Sequence, residues 1–65
     1  MAHTVESCEA RASEAAAEAS STQLENVRER ALRSEAAWRL IASRLLDVQR
    51  ERETIKVERA LREQT

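Results

Sequence analysis

Residues 24–48 read LENVRERALRSEAAWRLIASRLLDV, and within them Leu24, Val27, Ala31, Ser34, Trp38, Ile41, Leu45 and Val48 recur at steps of three and four. Steps of that size return to nearly the same side of a helix with about 3.6 residues per turn, whereas a strand needs strict alternation, which is missing. No Gly or Pro occurs in the chain. The stripe therefore predicts a long helix with an apolar seam for a second helix. Ser34 is its one polar member, and a helix absorbs such a hydroxyl by bonding it back to the preceding turn.

Upstream lies a second stripe with the same spacing, Val5, Cys8, Ala12, Ala15 and Ala19. Its side chains are small, so a partner helix can approach closely. Thr4 is the expected N-cap, with Glu6 and Glu9 near the positive end of the helix dipole, and Met1 to His3 are expected to fray. Ser20, Ser21 and Thr22 then prefer caps to helix interiors. Thr22 with Glu25, or Ser20 with Gln23, fits the S/T-x-x-E/Q capping box. Phase supports a break there. Leu24 follows Ala19 by five residues, which puts it about 140° off the line of the first stripe, so one unbroken helix could not aim both stripes at one straight partner. We expect one domain over residues 1–65: a helix over about 4–19, a turn at about 20–22 and a long helix over about 23–63.

The arms differ in length, on the order of 60 Å against about 24 Å. Folding about residues 20–22 pairs Ala19 with Leu24, Ala12 with Ala31, Cys8 with Ser34 and Val5 with Trp38. Trp38 then lies where the short helix ends. Beyond it Ile41, Leu45, Val48 and Ile55 have no intrachain partner, and leaving such side chains in water forgoes about 1.5–3 kcal/mol each. A further set, Leu32, Ala36, Leu40, Leu46, Val57 and Leu61, lies off the main stripe and calls for more than two helices. After Val48 the seam decays, since Arg52, Arg59 and Arg62 share its next positions with Ile55. The expected fold is all-α, an antiparallel helical hairpin with unequal arms that self-associates into a coiled-coil-like four-helix bundle. A homodimer is favoured, with Trp38, Ile41, Leu45, Val48 and Ile55 as its interface.

Composition narrows the function. A chain of 65 residues buries only about 60% of its unfolded surface, and such small cores lean on disulfides, metal or oligomerisation. One Cys and one His supply neither of the first two. A lone Cys suits a reducing compartment, and neither a signal-peptide pattern nor an apolar run of roughly 18 residues is present, so a cytoplasmic protein away from membranes is expected. Cys8 reads as a small buried hydrophobe, since Glu6 and Glu9 oppose a thiolate. His3 and Cys8 with those glutamates lack the spacing of a metal site, and a short helical chain offers little room for a catalytic pocket. No enzyme activity and no cofactor are expected.

The rival reading is a small nucleic-acid-associated regulator, because the long helix carries nine arginines and one lysine. Arg39, Arg44, Arg50 and Arg52 are the candidate phosphate contacts on the face of a dimer. Eight acidic residues are interleaved with them, Glu25 with Arg28 and Glu29 with Arg33 among the spaced pairs. A solvated helix laced with ion pairs is the simpler reading, and no aromatic residues are interleaved to stack on bases. A third reading makes residues 50–65 an arm that orders on an unidentified protein partner.

The run Glu25-Asn26-Val27-Arg28-Glu29-Arg30, followed by Ser34-Glu35-Ala36-Ala37-Trp38-Arg39, resembles a pattern in short uncharacterised all-helical bacterial proteins. It follows an arm rich in alanine and glutamate. The resemblance spans about half the chain and implies a helical fold with no known activity.

Overall fold

A computed structural model describes residues 3–64; Met1, Ala2 and Thr65, and with the first two most of the segment expected to fray, lie outside the described residues. Two helices, α1 (Val5–Ser21) and α2 (Glu25–Glu63), account for nearly all of it, and the described residues include no strand. They fold back on each other as a hairpin with arms of 17 and 39 residues. The molecule is a rod of 62 × 17 × 17 Å.

The start of α1 is capped as its sequence predicts, with one addition. Thr4 Oγ1 accepts the Ser7 backbone N–H at 3.0 Å, and Ser7 Oγ accepts the Thr4 N–H at 3.1 Å. That is a capping box with Ser in the place usually held by Glu or Gln. Glu6 in the first turn adds a favourable charge at the positive end of the dipole.

The reversal differs from expectation. α1 continues through Ser21, and the link is Thr22, Gln23 and Leu24. Thr22 is the C-cap of α1, its N–H bonded to Glu18 O at 3.2 Å, and its hydroxyl accepts the Leu24 N–H at 3.1 Å. The Thr22–Glu25 capping box therefore does not form: Thr22 is committed to closing the first helix, and Leu24 stands at the N-cap of α2 with no side-chain cap. Thr22 and Leu24 both have extended backbone, at φ −96° and −87°, and no described residue has positive φ. The chain thus reverses without Gly because extended residues, not a left-handed cap, make the turn. Arg28 fastens it, donating from Nη2 to Thr22 O at 3.1 Å and pairing with Glu25 at 3.8 Å.

Moving the centre of the reversal to Gln23 changes the register. Counting outward from Gln23 along two straight arms sets Ala19 level with Val27, Ala15 with Ala31 and Cys8 with Trp38. Burial agrees: Cys8, Ala12, Ala15 and Ala19 are buried on α1, as are Ala31 and Ala42 on α2, with Val5, Val27, Trp38, Ile41 and Leu45 half-buried. That count moves the level of Trp38 from Val5 toward Cys8, and the Trp38 ring itself meets His3 and Arg11, which lie on either side of both. Leu24, in the link, is 66% exposed, and Ser34 faces water while the next residue, Glu35, is half-buried. A core of alanines and one cysteine lets the backbones approach closely, yet each alanine withdraws little more than a methyl from water, on the order of 0.8 kcal/mol.

Candidate interaction surface on the long helix

With Thr4 level with Ala42, α1 covers α2 no further than about Leu45. From Leu46 to Gln64 every residue is exposed. This overhang is roughly 30 Å of helix; α2 runs unbroken to Glu63, as the sequence predicts, with Gln64 as its C-cap. Thr54 Oγ1 bonds back to Arg50 O at 3.0 Å within it.

The apolar side chains of the overhang fall on two sides. Val48 and Ile55, 43% and 49% exposed, stand seven residues apart and extend the side begun by Ile41 and Leu45. Leu46, Val57 and Leu61 are also exposed, and at 100° per residue they lie roughly 160° round the helix. Leu32 is exposed on that second side too, and Leu40 is exposed on a third, about 100° from Val57. By contrast, the side that α1 covers up to Ala42 continues as Gln49, Arg52, Glu53 and Lys56. It turns polar where α1 stops.

Trp38 lies across the first turns of α1 and the residues before them. The His3 ring meets its ring edge-to-face, with centroids 5.2 Å apart at 83°, and the Arg11 guanidinium carbon lies 5.8 Å from its centroid. Cation–π and edge-to-face contacts of this kind add to the apolar burial of the indole. Neither partner was singled out from the sequence. Their signal was spacing: His3 and Arg11 stand about one turn either side of Cys8, the residue level with Trp38. Of the proposed interface residues, Trp38, Ile41 and Leu45 are half-buried, whereas Val48 and Ile55 are exposed.

The candidate phosphate contacts do not form one patch. Arg39 is held by Glu35 at 2.8 Å and Arg50 by Asp47 at 2.6 Å. Arg44 and Arg52 point elsewhere, each more than about 100° round the helix from those two.

An open groove of about 410 Å³ runs among Arg50, Glu53, Thr54, Val57 and Glu58. Those residues are three, four, seven and eight positions apart, so it is the hollow between ridges of a single helix, the feature into which another helix packs. A smaller hollow of about 200 Å³ lies where Glu9 meets Arg39, Ala42, Ser43 and Leu46. Among the described residues no three His, Cys, Asp or Glu gather as a metal site, and no helix is long and apolar enough to cross a membrane. Cys8 is fully buried, which keeps its thiol from reaching another chain while the hairpin is closed. No protein-family model matches the chain, and no curated protein or solved structure matches it.

Proposed function

We propose that the protein is a non-enzymatic structural or protein-interaction module that self-associates through α2, as a homodimer whose four helices form a bundle. The observation that carries this reading is the overhang. Val48 and Ile55 continue the side of Ile41 and Leu45 onto the stretch of α2 beyond α1, where every residue is exposed. Full burial of such a side chain is worth about 1.5–3 kcal/mol, and a second copy recovers the part that Ile41, Leu45, Val48 and Ile55 leave exposed, which the alanine core within the hairpin does not provide. The cytoplasm, where a lone cysteine stays reduced, is the proposed setting.

Replacing Val48 and Ile55 together by Asp tests the reading. Both side chains are exposed within one chain, so the double variant keeps its hairpin and loses its dimer. Light scattering is expected to give a dimer for the unaltered protein and a helical monomer for the variant. Equal masses for the two would remove Val48 and Ile55 from the interface. The nucleic-acid reading has less support, since two of its four arginines are held by carboxylates and the four share no face.

A further inference from the structure

We infer that the occupant of the exposed α2 surface is a second copy of this chain lying antiparallel, with its two-fold axis level with the boundary between Leu46 and Asp47. This rests on the self-association proposed above and gives it a direction and a register. In an antiparallel pair, alternate seam residues of one helix meet those of the other. The stated axis places Leu45 against the partner's Val48, Trp38 against the partner's Ile55, and Ile41 against the partner's Arg52. All five apolar seam residues then find a counterpart, with one arginine stem among them to lie along the seam with its head in water.

Charge selects this register from its neighbours. Arg44 and Glu51 flank the seam, and among the described residues neither has an ion-pair partner within the chain. With the axis between Leu46 and Asp47, Arg44 lies beside the partner's Glu51 twice over. Sliding one copy by a seven-residue repeat toward the hairpin sets Arg44 against the partner's Arg44. Sliding it the other way sets Glu51 against the partner's Glu51 and puts Arg52 against Val48. A parallel dimer gives Arg44 only the partner's Gln49. Flanking charges of this kind fix orientation and register more than they add affinity.

Length and polarity agree with that placement. The overhang is about as long as α1, so each overhang spans the partner's hairpin and three helices lie side by side at each end. A two-fold axis perpendicular to the pair keeps both short helices on the same side of it. The partner's α1, with four glutamates against one arginine, then lies along the side of the overhang that carries Arg52, Lys56 and Arg59. That accounts for this side turning polar beyond Ala42: it meets an acidic helix, not an apolar one.

The test uses the full chain as Arg44→Glu, as Glu51→Arg, and with both exchanges, compared by sedimentation equilibrium at low salt. Each single exchange sets like charges together twice per dimer, and roughly tenfold weaker association is expected. The doubly exchanged chain restores both pairs and dimerises as the unaltered protein does. Mixing the two single variants restores them as well, and gives mostly heterodimer. Helicity measured on each variant guards against misfolding, and recovery in the double exchange could not follow from a damaged hairpin. If the unaltered chain dimerises and the single variants do so equally tightly, the antiparallel register is wrong while self-association stands. If the unaltered chain remains a monomer, self-association itself falls, and this arrangement with it.

Discussion

Residue identity governs the hairpin through what is small. Cys8 and Ala12 are completely buried, at the level where the two backbones approach, so Ala12→Leu is expected to lower stability by about 1–3 kcal/mol through overpacking. A fall in the thermal midpoint checks this, and an unchanged midpoint would mean that the arms are not held together at Ala12. Trp38 is half-buried between His3 and Arg11. Trp38→Ala should cost about 1–3 kcal/mol in urea unfolding, below the cost of truncating a fully buried ring; no change would place the indole in water. Thr4→Ala removes an acceptor from the capping box and is expected to cost about 1 kcal/mol. Thr4 was readable as a cap because a polar residue stands directly before a periodic stripe. Ser7 was not, since Ser rarely fills that third helical position, and Thr22 was assigned to the wrong helix because its hydroxyl could serve either side of the link.

At the scale of the elements, the stripe of α1 was legible as it stands: Val5, Cys8, Ala12, Ala15 and Ala19 are all buried or half-buried. The stripe of α2 was legible in part. Steps of three and four put Ser34 and Ile41 in the seam, but a straight α-helix drifts by about 20° per seven residues against such a repeat. The side facing α1 moves accordingly, so Glu35 is half-buried where Ser34 is exposed and Ala42 is buried where Ile41 is only half-buried. Register depended on where the link lay, and three consecutive cap-forming residues could not fix that to better than one turn. The length of α2 was readable, since nothing in residues 49–63 breaks a helix. Hydrogen exchange follows the elements separately. Amides of residues 49–62 are expected to lose protection on dilution before those of residues 8–20 do, because a partner shields the overhang and the hairpin shields itself. Equal protection of the overhang at every concentration would show that it needs no partner.

For the whole molecule, a net charge of −1 and carboxylates interleaved with the arginines argue against a phosphate-binding rod. Duplex DNA is expected to show no binding at physiological salt, and tight binding that falls steeply with added salt would return the nucleic-acid reading to first place. What the rod offers instead is an apolar side continuing through Val48 and Ile55, about 15 Å beyond its own short arm. The most direct measurement of the central claim is the mass of the unaltered chain by sedimentation equilibrium over a range of concentrations, with helicity recorded on the same samples. Self-association through α2 predicts a species of twice the 7.4 kDa chain that dissociates on dilution. A fully helical 7.4 kDa monomer throughout the range would contradict it.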